Sequence, residues 1–330
     1  MKKVLLTGGM GFVGSHIIEG LLKDTDWQII ILDRLDISGN PKRLTDIDVW
    51  EKEKHRVKFV WWDLKSDVNE KVSEEIGKIE YIWHLAASSH VDRSIEDPMS
   101  FVMDNVVGTT NLLNFARKLK DLKLFINFST DEVFGPSVKG YNNKEEDKHR
   151  PSNPYAASKA SAIDMGYAFY KTYGIPIITT HAMNIFGEKQ TPEKLIPKCI
   201  RMVQQQKPMP IFSEMKDGKM VAVGSRFWIH AREVCNALSF ITEKGKIGDF
   251  YNIIGFDEFT NLQICQMVAE SLGKPLIPEF IDFHSSRPGH DVRYALDGTK
   301  LKELGWTPKL PIKESLNKTV QWTVNNPHWL

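Results

Sequence analysis

Short apolar runs rich in β-branched and aromatic residues recur along the first half of the chain: VLLT (4 to 7), IIILD (29 to 33), VKFVWW (57 to 62), YIWHLA (81 to 86), LFINFS (124 to 129) and IPIITT (175 to 180). Between them lie longer stretches whose apolar residues repeat at helical spacing, such as FVGSHIIEGLLK (12 to 23) and FVMDNVVGTTNLLNFARKL (101 to 119). Strand, helix, strand alternation of this kind predicts an α/β fold in which a doubly wound parallel sheet carries helices on both faces. After about residue 185 the rhythm changes, and Pro192, Pro197, Pro208, Pro210, Pro275, Pro278 and Pro288 punctuate shorter elements. The expected division is a sheet domain over 1–185 and a smaller C-terminal lobe over 186–330 that closes over the carboxyl edge of the sheet. YNIIG (251 to 255) is strand-like and a candidate to return to that sheet, so the division is not a clean cut.

The first strand runs directly into GGMGFVG (8 to 14) and then into a helix, the context in which a glycine loop binds a dinucleotide. Glycines there allow a tight turn and a close approach of backbone to pyrophosphate, while the helix N-terminus attracts the phosphate charge. The loop fits G-x-G-x-x-G as Gly9, Gly11, Gly14 and G-x-x-G-x-x-G as Gly8, Gly11, Gly14, and spacing leaves both registers open. Asp33 ends the second strand about 20 residues on, where a carboxylate accepts hydrogen bonds from an adenosine ribose and repels a 2′-phosphate. A Rossmann-type sheet binding NAD rather than NADP follows, with Arg34 next door as the discordant residue. Asp63, after VKFVWW, stands either beside the adenine or in a solvated loop.

Composition narrows the partners. With 42% hydrophobic and 26% charged residues the chain is ordinary for a soluble globular protein, and a formal charge of +1 predicts no grip on nucleic acid or an anionic membrane. Cys199, Cys235 and Cys265 lie far apart with no metal-ligand spacing, so neither a metal site nor a disulfide framework is expected. The opening MKKVLLTGGMGF breaks into glycines too soon for a secretory signal, and no run approaches the ~20 apolar residues of a membrane span. A small soluble substrate met in the cytoplasm is the expectation.

Candidate chemistry gathers at two places. The fifth strand ends in STDEVFG (129 to 135), which puts Thr130, Asp131 and Glu132 at the carboxyl edge where ligands of doubly wound folds bind. A turn or helix cap is the competing reading of such a polar cluster. Tyr155 and Lys159 stand at i and i+4 in PSNPYAASKA, on one face of a helix that the prolines start. A nearby ammonium favours the phenolate of a tyrosine, so the pair can act as a general base toward a sugar hydroxyl. Tyr167 and Lys171 repeat the spacing 12 residues later, roughly 18 Å along the helix at its 1.5 Å rise, and serve as a decoy.

Taken in order, the glycine loop, HLAASSHVDRSIEDP (84 to 98), STDEVFG, PSNPYAASKA, TPEKLIP (191 to 197) and SRPGHDVRYALD (286 to 297) resemble the motifs of the extended short-chain dehydrogenase/reductases. The likeness covers nearly the whole chain and is nearest to the dTDP-glucose 4,6-dehydratase branch of the NAD-dependent epimerase/dehydratases. It implies a redox cycle in which NAD is reduced and regenerated within one turnover. Tyr155, with Thr130 and Lys159, would take the C4 hydroxyl proton of a nucleotide-sugar as the C4 hydride leaves. Glu132 would then take the C5 proton, and Asp131 would give a proton to the departing C6 hydroxyl. Elementary chemistry agrees, since elimination of water needs a base and an acid and adjacent carboxylates tend to keep one proton between them. Because neighbouring strand residues point to opposite faces, the triplet must leave strand geometry for both carboxylates to face the sugar.

The resemblance further implies that NAD lies against Gly8, Gly11, Phe12, Val13, Gly14, Asp33, Arg34, Asp63, Leu64, Leu85, Ala86, Ala87, Tyr155 and Lys159. Substrate would fall to Ser89, Asn184, Lys194, Leu195, Arg226, Asn252, Arg287 and His290. Arginine suits a diphosphate because its planar fork makes paired, charge-assisted hydrogen bonds, although each arginine also fits a surface ion pair. The chain departs from the family at Ser88 (usually Glu), Asp104 (commonly Thr), Phe134 (Tyr) and Ile185 (a second Asn), changes expected to surround the substrate and nicotinamide pockets. The segment FSEMKDGKMVAVGSRFW (212 to 228) is also longer than the family's connection, which bears on the placing of Arg226. The alternatives weighed are a 4-epimerase or UDP-glucuronate decarboxylase, which need Tyr155 and Lys159 but not the carboxylate pair, and a non-catalytic NAD-binding module. Wide apolar arcs on 101–119 and 154–173 suit either a homodimer's four-helix interface, as in the resembled family, or helices packed on the sheet.

Overall fold

Alternation along the first strand separates two cores. Val4 and Leu6 of β1 (Lys3–Thr7) enter one, and Leu5 enters the other, as the period-two geometry of a strand requires. The computed structural model describes residues 2–283 and 292–330. Parallel to β1 run β2 (Gln28–Asp33), β3 (Val57–Trp61), β4 (Tyr81–His84), β5 (Leu124–Thr130) and β6 (Ile177–Ala182). Helix Phe12–Asp24 covers the Val4 face, with Ile17, Ile18 and Leu21 in that core. The Leu5 face is covered by Glu70–Ile76 and Gly108–Ala116, through Val72, Leu112 and Leu113.

Five short strands follow β6: β7 (Ile185–Phe186), β8 (Met209–Lys216), β9 (Lys219–Ala222), β10 (Ser225–Phe227) and β11 (Ile229–His230). Then come β12 (Phe250–Ile253), β13 (Glu258–Thr260) and β14 (Pro278–Asp282). Among the described residues the central sheet has seven strands in the order β12-β6-β5-β4-β1-β2-β3. The segment at 251 thus returns to the main sheet, β12 pairing in parallel with β6. Helix Ala231–Lys244 returns with it and packs on the first helix so closely that a Cβ on Gly20 would lie 2.5 Å from Cys235 Sγ. Strand order reverses at β1, so the carboxyl ends of β1 and β4 flank the crevice where such sheets bind ligands.

A third core, with Phe186, Ile200, Trp228, Ile264 and Leu316, holds the smaller lobe of helices Leu195–Gln204, Asn261–Leu272 and Ile312–Asn325 beside the sheet β14-β8-β9. The long 212–228 segment is a hairpin, β8 against β9, turning at Asp217 and Gly218 with φ of 50° and 73°. Positive φ at both positions marks the Asp-Gly type I′ turn that suits strand twist. The segment 101–119 is not one α-helix. It runs as Pro98–Phe101, a π turn over Val102–Val107, and Gly108–Ala116, a wide turn of the kind that gathers at functional sites. No helix among the described residues is long and apolar enough to cross a membrane.

Candidate active site

The glycine loop opens one end of a cleft of about 580 Å³ along the carboxyl edge of the sheet. Gly8 has a φ of 73°, and a Cβ there would sit 2.9 Å from the Ala86 nitrogen, while one on Gly14 would sit 2.2 Å from the Gly8 oxygen. Gly9 instead faces the core, where a Cβ would strike the Ile31 side chain at 2.8 Å. The groove is therefore lined by Gly8, Gly11 and Gly14 with Phe12 and Val13, the second of the two registers the spacing allowed. Thr7 ties the loop to the next strand: its hydroxyl accepts from Leu85 N and Ala86 N at 3.2 and 3.1 Å, so its proton goes to His84 Nδ1 at 2.8 Å. His84 Nε2 then donates to Thr109 at 2.8 Å, and burial pushes this imidazole down to about 3, so it is a neutral strut.

Asp33 closes the far side of the groove, Oδ2 accepting from Met10 N at 3.0 Å and Oδ1 from Leu35 N at 2.9 Å. Burial raises its pKa, and those two backbone bonds pull the other way. Asp63, Leu64, Leu85, Ala86 and Ala87 also face the cleft. Asp63 accepts from Lys65 N at 2.9 Å and lies 3.6 Å from Arg34, so it stands in the groove rather than in open solvent. Arg34 forks onto Asp104, whose other partner is the Ser88 hydroxyl at 2.6 Å. The departures at 88 and 104 are thus one exchange, a carboxylate and a hydroxyl trading places across a single contact.

At the other end the triplet leaves strand geometry. β5 stops at Thr130, and Asp131–Phe134 forms a 3-10 turn capped by Thr130 Oγ1, which accepts from Glu132 N at 3.4 Å. The same hydroxyl donates to Asp131 Oδ1 at 2.9 Å, whereas the buried Oδ2 has no hydrogen-bond partner among the described residues. Burial first, then the charge of Glu132, push Asp131 up to about 7, with Arg226 pulling back. Glu132 is half-buried, and its Oε2 accepts from Asn153 Nδ2 at 3.3 Å and Tyr294 Oη at 3.5 Å. Adjacent carboxylates with one kept near-neutral are the pattern of an acid beside a base.

Asn153 does a second job, accepting from Ala156 N as the N-cap of helix Pro154–Tyr173. Tyr155 consequently sits buried in the first turn, with Lys159 one turn on. Lys159 Nζ donates to the Phe128 oxygen at 2.8 Å, and burial pushes this ammonium down to about 8. The expected support of a phenolate by Lys159 is outweighed here: burial and then the Glu132 charge hold Tyr155 well above the usual tyrosine range, and the nearby Thr130 hydroxyl only partly offsets them. Tyr167 is exposed with Lys171 over its ring at 5.4 Å, away from the cleft.

Ser89, Asn184, Lys194, Leu195 and Arg226 line the cleft between the two ends. Arg226, on β10, stacks 4.5 Å from the Tyr294 ring and donates to the Val292 and Ser225 oxygens. Arg287 and His290 lie outside the described residues. Asn252 is a correction: it is fully buried on β12 with no face to the cleft. Its amide donates to the Asn143 and Asp297 oxygens at 3.1 and 3.0 Å, and its oxygen meets His181 Nδ1 at 3.0 Å, so it braces the sheet against the C-terminal segment. Phe134 corrects the expectation for the departures, since its ring is buried edge-on to His181 and His149, 4.9 and 5.3 Å away, outside the cleft. Ile185, by contrast, lines it.

Sequence reasoning missed Tyr294, Trp228 and Arg43 as cleft residues. Tyr294 lies in the quoted SRPGHDVRYALD motif, which was the available signal. Arg43 resembles a surface residue in KRLT but is buried, its guanidinium donating to the Met10, Ser38 and Lys189 oxygens. Those partners come from three separate segments, which local patterning does not join.

Comparison with known proteins gives this geometry its setting. The family model described as GDP-mannose 4,6 dehydratase matches residues 5–319. The dTDP-glucose 4,6-dehydratase of Salmonella typhimurium is 36% identical, the match covering 99% of this chain and 94% of that protein. A trifunctional UDP-glucose 4,6-dehydratase/UDP-4-keto-6-deoxy-D-glucose 3,5-epimerase/UDP-4-keto-L-rhamnose-reductase of Arabidopsis thaliana is also 36% identical over 99% of this chain, which spans 48% of that protein. The crystal structure of DesIV, a dTDP-glucose 4,6-dehydratase from Streptomyces venezuelae with NAD and TYD bound, superposes with a TM-score of 0.87 at 32% identity, covering 99% of this chain and 98% of that one. The chain belongs to the GDP-mannose 4,6 dehydratase family, a dehydratase branch of the extended short-chain dehydrogenase/reductases.

Proposed function

We propose that the protein is an NAD-dependent nucleotide-diphosphohexose 4,6-dehydratase, a hydro-lyase that turns an NDP-hexose into an NDP-4-keto-6-deoxyhexose and water. One observation carries the reading: Asp131, buried with a free Oδ2 and a pKa near 7, stands beside Glu132 in the same cleft as Tyr155 and Lys159. A 4-epimerase has no use for such a pair.

The groove fits the cofactor because Gly8 and Gly14 let the loop close on Ala86 and on itself where no Cβ would fit, which shapes the backbone groove, and Asp33 is fixed to receive a ribose. Gly11, Phe12 and Val13 would meet the pyrophosphate at the helix start, with Leu64, Ala86 and Ala87 against the rest. NAD held in this groove would supply a hydride acceptor and then a hydride donor, so the sugar would undergo no net oxidation. The chain's own residues move the protons. Tyr155, whose own proton must first leave against the burial that holds it, takes the C4 hydroxyl proton as the 4-keto group forms, with Thr130 and Lys159 beside it. That carbonyl acidifies C5, where Glu132 takes the proton, and Asp131 Oδ2 protonates the C6 hydroxyl as it leaves. Lys194 and Arg226 present cations to the diphosphate.

Incubation of purified protein with dTDP-, UDP-, GDP- and CDP-hexoses, with dTDP-glucose tried first, tests this by mass: a product lighter by one water is expected. A changed sugar configuration without mass loss would favour the epimerase. We also read the enzyme as a homodimer through the exposed apolar side chains of Met99, Val102, Met103 and Tyr167, which a monomer in sedimentation would refute. Three buried free cysteines suit a reducing cytosol.

A further inference from the structure

Arg34 follows β2 and Asp104 stands in the π turn far along the chain, yet they meet across the groove. Arg34 Nη1 and Nη2 donate to the two Asp104 oxygens at 2.5 and 2.7 Å. The same guanidinium reaches Asp36 Oδ2 through Nη2 at 2.9 Å. Asp104 is itself held in place. Ser88 Oγ donates to it at 2.6 Å, and neighbouring Asn105 brackets the Ser88 backbone, accepting from its nitrogen at 2.8 Å and donating to its oxygen at 2.9 Å. Since β1 lies between β2 and β4, a link from residue 34 to residues 88 and 104 passes over the carboxyl end of β1, where the glycine loop begins.

An arginine beside the ribose-binding carboxylate is the residue type that accommodates a 2′-phosphate. Here its fork is already committed to carboxylates, and bidentate pairing of this kind is among the stronger charged contacts. Asp33, Asp36, Asp63 and Asp104 face this end of the cleft together with Arg34, Lys65 and Arg43, and Arg43 is occupied by backbone oxygens. Carboxylates are in excess, and the Arg34 fork is taken by Asp104 and Asp36.

We propose that Asp104, held by Ser88, is a cofactor-specificity residue: by sequestering Arg34 it keeps the adenosine end acidic, so the dinucleotide with a free 2′-hydroxyl binds and its 2′-phosphorylated counterpart is excluded. Asp33 alone does not set the choice, and Arg34 ceases to be a discordant residue. The inference rests on reading the groove as a dinucleotide site.

Calorimetric titration of the purified protein and three variants with NAD and with NADP tests it. Asp104→Asn keeps the shape and a hydrogen-bond acceptor while removing the charge. It should bind NADP about ten- to a hundredfold more tightly than the parent, the gain of one released charge-assisted fork, with NAD affinity within about threefold. The gain should shrink as salt is raised, because released surface charge is screened. The double variant Arg34→Leu/Asp104→Asn should lose the gain, and Arg34→Leu alone, which leaves the Asp104 and Asp36 carboxylates without their guanidinium, should bind NADP no more tightly than the parent. Unchanged NADP affinity in Asp104→Asn, a gain that persists in the double variant, or tighter NADP binding by Arg34→Leu alone would each overturn the proposal while leaving NAD binding by the parent intact. A parent that binds neither dinucleotide would overturn it together with the site reading beneath it.

Discussion

The two ends of the cleft treat charge in opposite ways. At the adenosine end every charged group described above is answered: Asp33 takes two backbone N–H groups, and Arg34 forks onto Asp104. At the catalytic end three ionisable groups are buried and held against their ionised forms. Asp131 is pushed up to about 7, Lys159 down to about 8, and Tyr155 above its ordinary range, each chiefly by burial. Satisfied groups make a rigid receptor, whereas the displaced pKa values of Asp131 and Lys159 put protons within reach at neutral pH. On the proposed function the difference separates the end that would bind the cofactor from the end that would react.

The largest test of that contrast is Glu132→Gln. Turnover to dehydrated product should fall by roughly 10²- to 10⁴-fold, the usual worth of a general base, while reduced nicotinamide still appears on mixing with substrate. Dehydration at the parental rate in single-turnover mass analysis would remove Glu132 from the chemistry.

Asp131 offers a pH test whose sign is fixed. The elimination needs its proton, so the rate should decline as pH rises through about 7. The same shift bears on stability. A carboxyl whose folded pKa is raised contributes stability below its unfolded value, and that contribution is lost as pH rises through the folded one. Asp131→Asn should therefore be inactive yet more stable than the parent at pH 8, by roughly 2–4 kcal/mol in denaturant unfolding. Equal stability of the two at pH 8 would mean that Asp131 is not held against its charge.

Asn252→Ala addresses the corrected residue. Leaving buried His181 and the half-buried Asn143 and Asp297 carbonyls unanswered should cost roughly 2–4 kcal/mol in unfolding, with KM unaltered; a raised KM at parental stability would return Asn252 to the substrate site. Smallest of all, Tyr167→Phe should leave turnover within about twofold, because an exposed tyrosine on the far part of its helix contributes no strained group to either end.

Much of this was legible in the chain itself. Apolar runs and helical spacing gave the strands because buried parallel strands are apolar on both faces, and a glycine loop after the first of them marks a phosphate site. The adjacency of Asp131 and Glu132 already implied an acid and a base. Local pattern did not distinguish Gly8 from Gly9, since that depends on which one approaches Ala86 and which one Ile31. Nor did it separate Asn252, which braces the sheet, from a substrate contact.

By itself, then, the sequence determined the alternating fold, the family and the residue types of the reaction, all of which depend on near neighbours along the chain. Only the tertiary structure decided how charge is distributed between the two ends of the cleft. The Arg34–Asp104 contact and the burial of Asp131, Tyr155 and Lys159 arise from segments brought together by packing, and both ion pairing and desolvation are properties of that surrounding rather than of the residues.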